Sequence, residues 1–358
     1  MVKAVIIAGG RGERFWPKSR IKTPKQLLPI ASKRSMLSET VKRISPLVKP
    51  EDILIIARKG LGARIKKELP KVPIKNIISE PFGRDTAAAV GLGAILAEKK
   101  DPDSVMIILP ADHVIGEPKK FLKTLRVAIK AARNTDNLVT MGIKPTRPDT
   151  GYGYIEIGSP VRRFAGSPVY WVKRFAEKPD KKKALKFIRS GRYLWNSGMF
   201  IWRASVILGA IKKHMPKLYR GLLEIQRALG TKKEKSVVEK VYRKLDKISI
   251  DYGIMEKAKN TLVVKADYLW DDVGNWQALE RISVKDKKGN ITKGEVSSLD
   301  TRDSIILCDK GMVGTIGLKD LIVISTEDAI LICPKDRAQE VKELVHKLGK
   351  NPKLKKYI

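Results

Sequence analysis

A strand-like apolar run, VKAVIIA over residues 2–8, passes straight into GGRGERFWPKSRIKTPKQ over residues 9–26, a stretch with three glycines and six cations. Glycines let the backbone approach an anion and adopt positive φ, so that amides turn toward phosphate oxygens; Arg11, Arg14, Lys18, Arg20, Lys22 and Lys25 add charge. The chemistry is phosphate binding, for a nucleotide or another phosphorylated molecule. Neither the GxxxxGK[ST] of a P-loop nor the GxGxxG of a dinucleotide fold is present. Lys25 lies eleven positions after Arg14, so the two meet the same phosphates only if the loop folds back.

Carboxylates follow at strand ends. In IILPADH (107–113) an apolar run passes a proline and ends on Asp112, with His113 beside it as a positioning or packing residue. In YLWDDVGNW (268–276) a strand expected from Thr261 reaches Asp271 and Asp272. Adjacent side chains of extended backbone point opposite ways, so one of that pair faces a site and the other makes structural hydrogen bonds. Asp112 with one of them offers the two carboxylates that magnesium takes alongside substrate phosphates. FAEKP places Glu177 and Lys178 between a strand and a helix, suited to a hydroxyl and a phosphate, although a surface turn reads the same. Asn196, Ser197 and Gly198 form a polar step between Trp195 and Met199, and Gly151–Tyr154 alternates glycine with tyrosine; both suit sugar hydroxyls, or simple turns. EPFGRDT (80–86) leads into an alanine-rich helix that Asp85 or Thr86 could merely cap.

These residues need a scaffold, and the periodicity supplies one. Strand signals at 53–57, 74–79, 104–109 and 138–142 alternate with helical stretches at 35–44, 61–69, 86–99 and 119–133. The alternation predicts an α/β fold with a mostly parallel, Rossmann-like sheet flanked by helices, whose ligands gather at the carboxyl ends of the strands. Beyond it come a strand at 171–176, a helix at 180–190 capped by Asp180, a strand closing at 200–202, and helices at 204–213 and 237–244. From about Val273 four short strand signals (304–308, 313–316, 321–325, 329–333) and a helix at 337–348 predict a small C-terminal β region. The expected division is a catalytic domain over 1–275 and a β region with terminal helix over 276–358. The tail GKNPKLKKYI reads as solvated, without a function.

With 358 residues, 43 % of them hydrophobic, the chain can bury a proper core. No run of about 18 apolar residues and no basic-then-apolar leader is seen, so neither a membrane partner nor export is expected. Two cysteines without CxxC spacing and three histidines speak against structural zinc and for a reducing cytoplasm. The net charge of +35 fits a lysine-rich surface or the steering of anionic substrates. Lys and Arg spread from end to end, without aromatic clustering, do not describe a specific nucleic-acid binder.

In order along the chain, GGRGERFWPKSRIKTPKQ, EPFGRDTAAA, LPADH, FAEKP, WNSGMF and WDDVGNW resemble the sugar nucleotidyltransferase family. FWP followed by SR, and EP-GR-T before the helix, resemble its mannose-1-phosphate guanylyltransferase (GDP-mannose pyrophosphorylase) branch. The resemblance implies the nucleotidyltransferase fold, with a left-handed β-helix-like tail used in homodimer contacts. It also implies the reaction of GTP with α-D-mannose 1-phosphate to give GDP-mannose and diphosphate, assisted by Mg²⁺ and without a covalent intermediate. By the same resemblance Arg14, Lys25, Asp112 and Asp272 are catalytic, and Asp112 and Asp272 are the metal ligands. Asp272 is preferred to Asp271 because the ligand stands one residue before the one preceding glycine. Ala8, Gly9, Gly10, Gly12, Glu80, Arg84, Thr86 and Asp112 would meet the nucleotide; Gly153, Glu177, Lys178, Asn196 and Asp272 would meet the sugar phosphate. Departures from the family's pattern are Asp85, Ala88, Phe15 and Leu27. The cupin-type isomerase domain of some relatives is not expected. The same motifs also suit another sugar or nucleotide, or a non-catalytic nucleotide-sugar-binding regulatory subunit, although intact Arg14, Lys25, Asp112 and Asp272 argue against the last.

Overall fold

The computed structural model describes residues 1–99, 101–161, 164 and 168–358. The chain forms β1 (Val2–Ala8), α1 (Met36–Ile44), β2 (Ile53–Arg58), α2 (Gly62–Glu68), β3 (Ile77–Glu80), α3 (Asp85–Glu98), β4 (Val105–Pro110), a two-residue β5 (Val114–Ile115) and α4 (Pro118–Arg133). There follow β6 (Leu138–Ile143), β7 (Tyr154–Pro160), β8 (Val169–Ala176), α5 (Lys181–Ser190), β9 (Tyr193–Arg203), α6 (Ala204–His214), α7 (Pro216–Ala228), α8 (Glu234–Lys244), β10 (Thr261–Ala266) and a two-residue β11 (Trp270–Asp271). The last elements are α9 (Leu279–Ile282), β12 (Ile291–Leu299), β13 (Ile305–Ile316), β14 (Leu321–Ser325), β15 (Ile330–Pro334) and α10 (Val341–Lys350).

Packing sorts these into two compact units. Met1–Gly9, Arg43–Pro110 and Ile115–Leu269 make one; Gly10–Lys42, Ala111–Val114 and Trp270–Ile358 make the other. Both draw on separated stretches, so the expected single cut after 275 does not describe the packing.

The first unit is built on a sheet of order β3-β2-β1-β4-β9-β6-β10-β8-β7. β3, β2, β1 and β4 run parallel, as the βα alternation predicts, so Ala8, Glu80 and Pro110 all finish at one edge. β9 enters antiparallel between β4 and β6, and β8 pairs antiparallel with β10. The unbroken apolar character of the inner strands follows from burial on both faces. Met106 and Ile108 join the cluster formed with α3, α6 and α7, while their neighbours Val105, Ile107 and Leu109 are equally buried beneath the other face, where α4 packs. α3 carries no polar stripe because it is enclosed almost all round, which explains its alanines and glycines. Asp180 accepts from the Lys183 amide at 2.8 Å, the cap expected of it. α7 was not anticipated, although Leu218, Leu222 and Ile225 are spaced for a helix and Pro216 suits its first turn.

In the second unit β12, β13 and β14 stack in parallel, and β15 turns back antiparallel on β14. β12 escaped the sequence reading because, apart from Ile291, it has no buried residue to set a period. The expected strands at 304–308 and 313–316 are one strand, β13, and the expected strand from Thr261 to the aspartates stops at Ala266. Ile291, Ile305, Leu307, Ile322 and Ile324 make a core with Phe15, Trp16, Val273, Trp276 and α10. The expected solvated tail holds for residues 350–356, which are exposed, and fails at its end: Lys355–Tyr357 is a 3₁₀ turn, and the partly buried Ile358 packs against that core.

Several buried polar atoms of the first unit have no hydrogen-bond partner among the described residues, the Tyr268 hydroxyl among them. Tyr268 sits edge-on to Phe121 of α4, ring centroids 5.7 Å apart. Removing an unsatisfied buried hydroxyl while keeping the ring should help rather than harm. Tyr268→Phe is expected to raise the free energy of unfolding in urea by up to about 1 kcal/mol; a loss of that size would show that the hydroxyl is satisfied.

Candidate active site

The basic loop does fold back, inside the second unit. Gly12 has φ +65° and lies so close to Lys25 that a Cβ there would sit 2.3 Å from the lysine Cβ and 2.9 Å from its amide nitrogen. Only glycine fits such a crossing. The Ser19 hydroxyl donates to the Gly12 carbonyl at 2.7 Å, and the Arg20 and Thr23 amides and carbonyls exchange two bonds of 3.0 Å. Lys25, buried, donates its ammonium to Asp112 Oδ2 at 2.8 Å and to the Asp272 carbonyl at 2.7 Å. Lys25, expected at the reacting phosphates, thus stands between the two predicted aspartates, bonded to the carboxylate of one and the main chain of the other. Burial would raise the Asp112 carboxyl, but the charge and hydrogen bond of Lys25, with His113, hold it below the usual carboxylate range.

Of the adjacent aspartates, Asp271 is the structural one. It is 3 % exposed, accepts from the Val273 amide at 2.8 Å and pairs with the Arg281 guanidinium through Nε and Nη2. His113 accepts at Nδ1 from the Trp270 indole at 3.2 Å, a positioning contact. The six loop cations are not equivalent. Arg11 pairs with Glu13, Lys18 with Asp309 and Arg20 with Asp328, while Arg14 is exposed and makes no ion pair among the described residues. Gly10 is open on its Cβ side.

In the first unit, β1 ends at Ala8, and Gly9 passes Glu80 so closely that a Cβ would lie 3.4 Å from Glu80 Oε2. The Tyr242 hydroxyl donates to Glu80 Oε1 at 3.1 Å. Burial pushes the Glu80 carboxyl up to about 7, the Tyr242 bond opposing this and the charge of Asp85 adding to it. Arg84 and Thr86 spend their side chains on main chain instead. Arg84 donates to the carbonyls of Tyr242 and Arg243 at 2.6 and 2.7 Å, and Thr86 Oγ1 accepts from the Ile250 amide at 2.8 Å. Both hold the segment that carries Tyr242 and Asp251.

Asp251 is the residue that the sequence reading missed. Asn196, within β9, donates its side-chain amide to Asp251 Oδ1 at 2.7 Å, and its own backbone amide donates to the Gly153 carbonyl at 2.8 Å. A Cβ on Gly153 would meet Glu177 Oε2 at 2.3 Å, so glycine again marks a close approach. Lys178 pairs with Glu177 Oε1 at 3.1 Å, and Oε2 is buried without a hydrogen-bond partner among the described residues. Burial, and then the charge of Glu177, lift the Asp251 carboxyl to about 6. The only signal in the sequence was an acid inside the otherwise apolar ISIDYGIM.

Of the six described non-glycine residues with positive φ, three lie in turns of the C-terminal β region (Asp300, Asp303 and Asp320) and three in the motifs. Asp85, Lys178 and Val273 have φ of 65°, 47° and 49°, and they stand in EPFGRDT, FAEKP and WDDVG. Among the described residues no group of three or more His, Cys, Asp or Glu side chains could hold a metal, so any ion here would rely on two carboxylates and its substrate.

A family profile described as nucleotidyl transferase matches residues 3–289, and one described as a MannoseP isomerase/GMP-like beta-helix domain matches 294–348. Over 354 residues the chain is 39 % identical to a mannose-1-phosphate guanylyltransferase of Escherichia coli, covering 98 % of this chain and 74 % of that one. It is 38 % identical to the protein of that name from Klebsiella pneumoniae, with the same coverage. The crystal structure of a mannose-1-phosphate geranyltransferase from Thermus thermophilus superposes with a TM-score of 0.87 at 38 % identity, covering 97 % of this chain and 99 % of that one. With the motifs falling into the clusters just described, the chain belongs to the mannose-1-phosphate guanylyltransferase family of nucleotidyl transferases.

Proposed function

We propose that the chain transfers a guanylyl group from GTP to α-D-mannose 1-phosphate, giving GDP-mannose and diphosphate. The observation that carries this is the Lys25 ammonium, which joins a glycine-rich, folded-back loop to Asp112 and Asp272. A phosphate oxygen of the sugar attacks the α-phosphorus of GTP in line; the bond from that phosphorus to the bridging oxygen breaks, and diphosphate carries the electron pair away. Catalysis is then positioning and charge stabilisation. Arg14 and the amides of Gly10 and Gly12 hold the triphosphate. Glu80, after Ala8 and Gly9, accepts from the guanine N–H donors. Glu177, Asn196 and Asp251 accept from or donate to sugar hydroxyls beside Gly153, and Lys178 meets the sugar phosphate.

Asp112 and Asp272 fit Mg²⁺, since both offer hard oxygen, Asp112 is kept ionised, and a cation, Lys25, is already stabilised beside them. When bound, the ion would neutralise charge on the phosphoryl oxygens. The exposed apolar side chains of Leu299, Met312, Ile316, Ile330 and Ile332 on β12, β13 and β15 support a homodimer. The unbridged Cys308 and Cys333 support a reducing, cytoplasmic setting, and no helix among the described residues is long and apolar enough to cross a membrane.

Asp112→Asn and Asp272→Asn should each lower kcat by at least about a hundredfold in assays of diphosphate release at saturating Mg²⁺; wild-type rates in both would remove the metal site. GTP should be preferred over ATP, UTP and dTTP in the same assay, and absence of a preference would sink the guanylyl assignment.

Glu80 sets a pH dependence. Its carboxyl titrates at about 7, so the carboxylate that accepts from guanine is present above that pH and lost below it. KM for GTP should rise by roughly tenfold between pH 8 and pH 6, and Glu80→Gln should flatten that rise. An unchanged slope in the variant would take guanine away from Glu80. Asp251→Asn should raise KM for mannose 1-phosphate by about tenfold or more, on the scale of one charged hydrogen bond, and KM for GTP far less; equal effects on both would deny Asp251 a place at the sugar.

A further inference from the structure

Two features of the sequence find no place in the chemistry above: the cations Lys18 and Arg20, and the C-terminal segment. The structure joins them. The main-chain oxygen of Tyr357 accepts from the Trp16 indole Nε1 at 2.7 Å and from Nη1 of Arg20. Arg20 uses all three of its nitrogens there: Nε donates to the Pro17 carbonyl at 2.6 Å and Nη2 to Asp328 at 2.7 Å, while the guanidinium lies 5.7 Å from the centre of the Trp16 ring. Lys18 pairs with Asp309 of β13. Trp16 is buried, and its carbonyl accepts from the Trp276 indole at 2.9 Å.

We infer that the segment 351–358 is a positioning element for the phosphate loop, acting through Trp16 and Arg20. The fold-back that lays Gly12 on Lys25 has its far end at Trp16–Thr23, where the bonds inside the loop are short-range ones: the Arg20–Thr23 pair, Arg20 to Pro17, and Ser19 to Phe15 and Gly12. A carbonyl that receives one neutral and one charged N–H ties Trp16 and Arg20 to one point outside the loop, beside the bonds with Asp309, Asp328 and Trp276, and bonds from a guanidinium are among the stronger and more directional ones. The register between Arg14 and Lys25 then depends on a segment that contributes no side chain to the reacting phosphates. Arg20 and Lys18 are thereby withdrawn from substrate, because their charges are met by Asp328 and Asp309. The inference rests on the guanylyltransferase reading.

The test is steady-state kinetics of the full-length chain carrying Trp16→Phe, which keeps the ring and removes the donor, and Arg20→Lys, which keeps the charge and removes the fork. A third variant ends after Asn351. A positioning role raises KM for GTP by about fivefold or more in each variant while KM for mannose 1-phosphate stays within about twofold. Trp16→Phe added to the truncation should raise KM for GTP little further, since both remove the indole bond to Tyr357. A role in folding alone would lower kcat with both KM values unchanged, and that result overturns the inference. Equal rises in both KM values, or wild-type kinetics in both point variants, overturn it too. If the truncated chain does not fold, the point variants decide. A wild-type chain without GTP turnover would instead sink the reading on which the inference rests.

Discussion

The interaction on which the catalytic part of the second unit depends is the buried ammonium of Lys25. It holds three stretches that are remote in sequence: the glycine-rich loop, the segment after β4 through Asp112, and the segment after β11 through the carbonyl of Asp272. An ammonium taken out of water must be compensated on all sides, so neither acceptor can drift without exposing an unpaired charge. The geometry of Gly12 follows, because the loop must cross Lys25 at van der Waals distance to bring that lysine inward. So does the fate of Asp271: with its neighbour's carbonyl committed to Lys25, the Asp271 carboxylate turns inward to Arg281 and the Val273 amide.

The acids of the site divide by what stands next to them. Asp112 has a cation in contact and is held ionised against its burial. Glu80 and Asp251 have only a phenol or an amide in contact, and burial lifts them to about 7 and about 6. A carboxylate of the first kind suits a metal ion or another fixed charge. Those of the second kind suit neutral N–H and O–H donors, which solvate a desolvated carboxylate oxygen and so favour its ionised form. Guanine and a hexose present such donors, whereas the phosphates between them demand cations.

Much of this was legible in the sequence, for identifiable reasons. β2 and β4 are buried along almost their whole length and β1 nearly so, so their apolar runs stand out, and with the shorter β3 their ends locate Gly9, Glu80 and Asp112. The loop's fold-back was legible from the spacing of Arg14 and Lys25, and a division of labour between Asp271 and Asp272 from strand alternation. What could not be read was pairing. Arg84 and Thr86 look like ligand groups in a motif, yet they bond to main chain at 242, 243 and 250, segments that no local pattern links to them. Asp251 stayed hidden for the same reason: an acid in an apolar stretch becomes meaningful only once Asn196 and Glu177 stand beside it. β12 was invisible because strand pairing in a parallel coil needs no apolar alternation on its exposed side.

The excess of positive charge takes on a different meaning at the loop. A net +35 and six cations in one segment invite the view that the loop binds anions by sheer charge density. Yet Arg11, Lys18 and Arg20 are each met by an acid from the same unit, and Lys25 is met by Asp112. Exposed pairs of this kind contribute little stability, so stabilising the fold is a weak reason for their presence. They remove competing positive positions from around Arg14, which is exposed and makes no ion pair among the described residues. A triphosphate offered six equivalent cations could bind in several registers; with four of them paired to acids, the choice narrows toward Arg14 and the glycine amides beside it. Neutralising most of a basic loop is therefore a way of making it selective.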